Sequence, residues 1–154
     1  MSTPRHELVI TRDVPVPAAK LFQGWTDPEL MKLWFVPKPW SIASVKIDLR
    51  AGGSSEIVMR SPEGQEFPNR GIYLEVVPNK KLVFTDAFVD AWTPSEHPFM
   101  TAIVTFEELG NGLTRYTARA LHWTEEDRRK HEEMGFEPGW NTCLDQLVEL
   151  MSGK

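Results

Sequence analysis

The sequence predicts an α+β fold in which a curved antiparallel sheet is closed by a C-terminal helix. Three observations carry that expectation. Apolar and polar residues alternate at period two in several segments, as in Val45-Lys46-Ile47-Asp48-Leu49. Turn residues separate those segments at hairpin spacing: Ala51-Gly52-Gly53, Ser61-Pro62-Glu63-Gly64, Pro78-Asn79-Lys80 and Gly110-Asn111-Gly112. Beyond them Trp140, Leu144, Leu147 and Met151 recur every three or four residues, forming one helix stripe that must be covered by an apolar surface.

Residues 7–14 read as a first strand. Leu8, Ile10 and Arg12 share one phase and Val9 and Thr11 the other, so the pattern leaves its inner face open. Pro15 and Pro17 break it, and residues 18–25 form a short helix with Ala18, Leu21, Phe22 and Trp25 on one side. Asp27, Pro28 and Glu29 are an N-cap, a first-turn proline and an acid at the positive helix end. They open a second short helix carrying Leu30, Met31, Trp34 and Phe35, which Pro37 and Pro39 end.

Strands follow around residues 45–49, 54–60, 69–77, 81–88, 99–108 and 113–123, with a loop over 89–98 carrying Trp92. Thr124-Glu125-Glu126-Asp127 resembles a capping box. Gly135, Pro138 and Gly139 predict a break before the main helix, from about Trp140 to Met151, whose stripe Cys143 and Leu150 widen. Hairpin connections make the sheet antiparallel and allow one wet face.

The 154 residues suit one domain over 1–154, long enough to bury roughly 70% of the unfolded surface without metals or disulfides. The net charge of -5 and the lack of a basic block argue against nucleic acid as a partner; Arg128-Arg129-Lys130 sits among acids on a solvated helix face. Cys143 is the only cysteine, which excludes an intramolecular disulfide and a cysteine-based zinc site. No metal or other cofactor is expected, since the His-Glu-x-x-His, phosphate-loop and nucleophile-elbow patterns are absent. No apolar run approaches the roughly 20 residues of a membrane span, and residues 1–7 lack a signal-peptide pattern, so a cytoplasmic location is the expectation.

Several segments resemble a known group. They are Phe22-Gln23-Gly24-Trp25-Thr26-Asp27-Pro28-Glu29-Leu30 with Trp34, Asp48-Leu49-Arg50-Ala51-Gly52-Gly53, Gly71-Ile72-Tyr73-Leu74-Glu75-Val76-Val77-Pro78, Leu82-Val83-Phe84-Thr85, and His131-Glu132-Glu133-Met134-Gly135-Phe136 with Gly139-Trp140. Together they are similar to the START-like, or SRPBCC, superfamily and, within it, to bacterial proteins of the activator of Hsp90 ATPase (Aha1-type) group. The resemblance implies a helix-grip fold with a cavity between sheet and terminal helix. Members bind lipids, sterols, polyketides or plant hormones, and some catalyse cyclisation or dehydration. The group name implies a chaperone partner and a link to stress response.

The strand phases then nominate lining residues. Tyr116, Ala118, Ala120 and His122 point toward the helix if Arg115, Thr117 and Arg119 face solvent. Met100, Ala102, Val104 and Phe106 share the inner phase of the preceding strand, and Leu82, Phe84, Asp86 and Phe88 that of the one before. The alanines leave room beneath the helix.

Asp86, if held beside aromatic rings, would have a raised pKa and serve as acid, base or ligand anchor; if the strand ends near Thr85, it is a solvated loop residue. His122 is either a ligand donor titrating near neutrality or a satisfied histidine at the strand–helix junction. Tyr116 offers a hydroxyl to the cavity or to a protein partner. Trp92 and Trp140 suit a pocket rim, whereas Trp25, Trp34 and Trp123 suit packing. Met59 and Met100 suit an adaptable lining or the core. Cys143 reads as a buried small hydrophobe, and Asp127 with His131 as a surface i, i+4 pair.

Three functional readings follow. The first is binding of a small hydrophobic molecule by Met59, Phe84, Asp86, Phe88, Trp92, Met100, Tyr116, Ala118, His122, Trp140, Leu144 and Leu147. The second is a cyclase-, dehydratase- or hydrolase-like enzyme using Asp86 or His122 for acid–base chemistry. The third is an Hsp90-type chaperone accessory protein. A homodimer stands as an additional protein partner.

Overall fold

The computed structural model describes residues 6–90, 93–96 and 98–152, the side chains of residues 89 and 90 excepted. The elements are β1 (His6–Val14), α1 (Ala18–Thr26), α2 (Pro28–Trp34), β2 (Ser41–Ile47), β3 (Ser54–Arg60), β4 (Glu66–Val77), β5 (Lys81–Thr85), β6 (Phe88–Asp90), β7 (Thr93–Pro94), β8 (Thr101–Gly110), β9 (Leu113–His122), α3 (Glu125–Glu133) and α4 (Phe136–Met151). Seven strands form one antiparallel sheet in the order β1-β9-β8-β5-β4-β3-β2, and β6 and β7 pair separately. The sequence-based α+β architecture, with a terminal helix over an antiparallel sheet, is what the chain adopts.

The helix starts follow local chemistry. Asp27 Oδ1 accepts the Glu29 backbone N–H at 2.9 Å ahead of Pro28, and Thr124 Oγ1 accepts that of Asp127 at 3.1 Å. Gly135, at φ 96°, turns the chain between α3 and α4 in a left-handed conformation that a side chain would disfavour. α4 begins at Phe136, not near Trp140. Pro138 and Gly139 fall in its first turn, where a missing backbone N–H leaves no helical hydrogen bond unmade, so they do not break it.

Register defines the concave face. Leu8, Ala120, Ala102, Phe84 and Tyr73 form one row across five strands, and Ile10, Ala118, Val104, Leu82 and Val76 the next. Arg12, Tyr116 and Phe106 make a third. The opposite phase of β9 carries Arg115, bound to Asp13 at 2.9 Å, and Arg119, bound to Glu7 at 2.9 Å. The predicted phases of β8 and β9 are therefore the ones adopted.

α1 and α4 cover this face. Leu21, Leu144 and Leu147 are completely buried in one cluster with Phe22, Trp25, Phe106 and Tyr116. Gly24 lets α1 approach α4: a Cβ there would collide with the end of the Leu147 side chain. Trp34 Nε1 donates to the Gly24 carbonyl at 2.9 Å, and Gln146 Nε2 donates to the carbonyls of Trp34 (2.9 Å) and Val36 (2.8 Å), tying α2 to both helices. From the sheet side, Arg12 reaches α4 at Asp145 (2.7 Å) and the Asn141 carbonyl (3.3 Å). A second cluster of Met31, Val36, Ile42 and Ile57 lies where α2 meets β2 and β3.

Four further expectations change. β5 ends at Thr85, because the chain there turns to bond the segment before β8, with Thr85 Oγ1 donating to the Met100 carbonyl at 3.1 Å. Trp123 is 48% exposed and does not pack in the core, since β9 stops at His122 and the next residues start α3. Met59 packs against the second cluster, apart from Tyr116 and Ala118. His131 makes no surface pair with Asp127; its ring turns inward to His122. No helix is long and apolar enough to cross a membrane among the described residues.

Candidate functional site

Aromatic side chains from four elements, β4, β5, α1 and α2, gather at the concave face. The Phe84 ring lies between Trp25, at 5.7 Å, and Tyr73, at 6.4 Å; Trp25 packs edge-on to Trp34 at 5.0 Å and Phe35 at 5.4 Å. Phe84, Met100, Cys143 and Trp140 all pack against the main core, yet each stays partly accessible. Ala102, Ala118 and Ala120 are fully buried beside them. The nearest backbone neighbours of α4 are α2, β1, α1 and α3.

Two tyrosine hydroxyls enter this region. Tyr116 is 2% exposed, and its oxygen accepts the Trp25 Nε1 hydrogen at 3.1 Å. Burial pushes its pKa up, so it stays a neutral phenol whose own proton has no acceptor among the described hydrogen bonds. Tyr73, on β4, is 4% exposed and burial pushes its pKa up to about 12. Cys143 donates to the Phe35 carbonyl at 3.5 Å, and burial pushes its thiol up to about 12, so it stays a protonated thiol rather than a thiolate nucleophile.

The polar candidates Asp86 and His122 are engaged by protein. Asp86 Oδ1 accepts the backbone N–H groups of Phe99 at 2.8 Å and Met100 at 3.1 Å, clamping the start of β8. His122 is buried at the end of β9, beside the start of β8, with its ring 5.5 Å from that of Phe99. Its Nδ1 meets the His6 carbonyl at 3.0 Å, so Nδ1 carries the hydrogen, and its Nε2 then accepts from His131 Nδ1 at 2.8 Å. Phe99, at 5.0 Å, and Phe136, at 5.1 Å, flank the His131 ring, whose pKa desolvation and then the His122 neighbour lower to about 4. Both residues thus have structural partners.

Removing the Asp86 carboxylate is expected to leave two amides unpaired. Asp86→Ala should cost about 1–2 kcal/mol, and Asp86→Asn, which keeps an acceptor oxygen, less than half of that. Urea denaturation checks the order; equal losses for the two variants would remove the clamp.

The predicted residues divide accordingly. Phe84, Met100, Ala118, Tyr116, Trp140, Leu144 and Leu147 come together in one cluster; Met59, Asp86 and His122 lie at its margins or outside it. Phe88 is partly accessible in β6, and Trp92 lies outside the described residues. Sequence periodicity missed Tyr73, because β4 carries an irregularity at Leu74. Val76 pairs with Leu82, but Tyr73, not Leu74, pairs with Phe84. A plain alternation back from Val76 assigns the inner face to Leu74. Among the described residues no group of three or more His, Cys, Asp or Glu is placed to hold a metal. A surface groove of about 850 Å³ between α2, β2 and the end of α4 contains none of the predicted lining residues.

Comparison with known proteins adds a family and relatives. Residues 15–152 match the family described as activator of Hsp90 ATPase homolog 1-like protein. A crystal structure of a protein from Nitrosomonas europaea is 46% identical, with a TM-score of 0.91 over 95% of this chain and 94% of that one. A solution structure from Staphylococcus epidermidis is 27% identical, with a TM-score of 0.76 over 98% and 92%. A crystal structure from Mycobacterium smegmatis is 23% identical, with a TM-score of 0.80 over 99% and 98%, and is similar in fold alone. No protein with a curated description matches.

Proposed function

The chain belongs to the activator of Hsp90 ATPase homolog 1-like family, and from that premise we propose that it binds a small, mostly apolar molecule between the sheet and α4. The observation that carries this reading is the partial accessibility of Phe84. Phe84 lies on β5, the central strand of the sheet, flanked by the fully buried Ala102 on one side and the nearly buried Tyr73 on the other. A phenyl ring at the centre of a close-packed core would be sealed. One that still meets solvent beside Ala102, in a core that also leaves Trp140 and Cys143 partly accessible, favours an apolar opening suited to a ligand.

Native mass spectrometry of freshly purified protein tests the reading. A co-purified mass of a few hundred daltons, lost on denaturation, is the expected result. Protein that is empty on purification and stays empty after incubation with a panel of apolar molecules would count against it.

The family description supports a second reading, an accessory role toward an Hsp90-type chaperone. Its test is Hsp90 ATPase turnover on mixing, and an unchanged turnover removes its support. The acid–base reading has less behind it, since Asp86 and His122 direct polar atoms to backbone and to His131.

A further inference from the structure

We infer that Tyr73 is the hydrogen-bond donor for a neutral, oxygen-bearing apolar ligand, such as a ketone, ester or ether, held over Phe84. The inference rests on the apolar-ligand reading above and specifies the ligand's chemistry.

Its main observation is an unspent donor. Tyr73 is 96% buried by the complement of its 4% exposure, packs edge-on to Phe84 and belongs to the main core cluster. Among the described residues no hydrogen bond reaches its hydroxyl. A buried hydroxyl without a partner is costly, and tyrosines in cores normally find one. The Tyr73 oxygen is also not sealed in: the fully enclosed and unpartnered side-chain oxygen among the described residues is Ser95 Oγ. A hydroxyl that is inside the core, unpartnered and reachable faces space that a ligand atom or water must satisfy.

Charge narrows the class of ligand. In the concave rows of β1, β9, β8, β5 and β4 described above, the only Lys or Arg is Arg12, and Asp145 and Asn141 already engage it. α4 contains no Lys or Arg at all. An anionic headgroup would therefore lack a counter-ion, and burying it unpaired would be costly. A cationic ligand would meet no carboxylate in those rows, and Asp145 is paired with Arg12. The phenol remains protonated throughout the physiological range, so it acts as a donor to an acceptor oxygen. Tyr116 offers a second phenol proton on the same face, its oxygen already taken by Trp25.

Three naphthalene probes of matched shape test this: 2-acetylnaphthalene, 2-ethylnaphthalene and 2-naphthoate, with binding followed by quenching of tryptophan fluorescence. Tyr73→Phe deletes one oxygen, and an unchanged thermal midpoint verifies that it folds. The variant is expected to bind the ketone about 3- to 10-fold more weakly than the parent, as for one net hydrogen bond, and the ethyl probe equally well. The carboxylate is expected to bind the parent more weakly than the ketone. Equal effects on ketone and ethyl probe, or none on either, overturn the role of Tyr73 while leaving the apolar site standing. Tighter binding of the carboxylate overturns the neutral class. If the parent takes neither neutral probe, the apolar-ligand reading fails and this inference falls with it.

Discussion

Leu147→Ala is expected to destabilise the protein by about 2–5 kcal/mol, one of the largest effects available in this chain. Leu147 is completely buried, and the end of its side chain sits where a Cβ on Gly24 would have to go. Truncation removes apolar contacts to α1 and leaves a void that two helices tied by Gln146 and Trp34 cannot readily close. Gly24 sharpens the test. In the parent, Gly24→Ala should destabilise by about 1 kcal/mol, because crowding against Leu147 outweighs the gain in helix propensity. In the Leu147→Ala background the same change should stabilise by about as much, since the added methyl enters the void. Urea denaturation of the four proteins measures the coupling. A loss below 1 kcal/mol for Leu147→Ala, or the same sign for Gly24→Ala in both backgrounds, would show that α4 is not anchored through this contact.

Acid is expected to weaken the fold in a window set by His131. Its folded pKa of about 4 lies below the ordinary 6.5, because desolvation and the adjacent His122 disfavour the cation. The unfolded chain therefore binds more protons between these values. Stability from this group is complete above pH 6.5 and is lost as pH falls from 6.5 toward 4. The displacement corresponds to at most about 3 kcal/mol, and solvent at the edge of the site reduces the expected loss to about 2 kcal/mol.

The surrounding groups define the limits of that window. His122 and the rings of Phe99 and Phe136 face His131 directly; His6 and Glu125 form a 3.5 Å pair at the nearby β1–α3 edge, and Lys130 precedes it in α3. Arg128 holds the Glu125 carboxyl down to about 2, so the contribution of that exposed group is lost in a separate range, from 4.5 down to 2. His131→Gln keeps a donor for His122 Nε2 but cannot titrate. The difference between parent and variant in thermal midpoint at pH 7.5, 5.5 and 4 isolates the histidine. If the two proteins lose stability in parallel, His131 is not the source.

Much of this architecture could be read locally. Hairpin turns, the Asp27-Pro28-Glu29 and Thr124 helix starts, and the spacing of Leu144 and Leu147 are properties of neighbouring residues, and each led to the element observed. The inner phases of β8 and β9 were legible for the same reason: alternation runs unbroken from Ala102 to Phe106 and from Tyr116 to His122. The resemblance to the SRPBCC superfamily supplied the layer order, and the match over residues 15–152 bears it out.

The site was less legible, because its polar groups depend on events that sequence spacing does not encode. Asp86 shares the phase of Phe84 on paper. The strand ends one residue earlier, and the carboxylate then bonds amides thirteen and fourteen residues away. His131 looks like a helix-surface residue until α3 folds against β9 and gives it His122 as a partner.

The helix over the sheet, its apolar stripe and the alanines beneath it were determined by the sequence itself, since periodic burial is a short-range signal. Which hydroxyl-bearing side chain joins that inner face was decided only in three dimensions. One irregular residue at Leu74 reverses the phase of β4 and turns Tyr73 from the outer face to the inner one, beside Phe84. A side-chain period of two makes every such single-residue shift a change of face, and only the pairing with β5 reveals it.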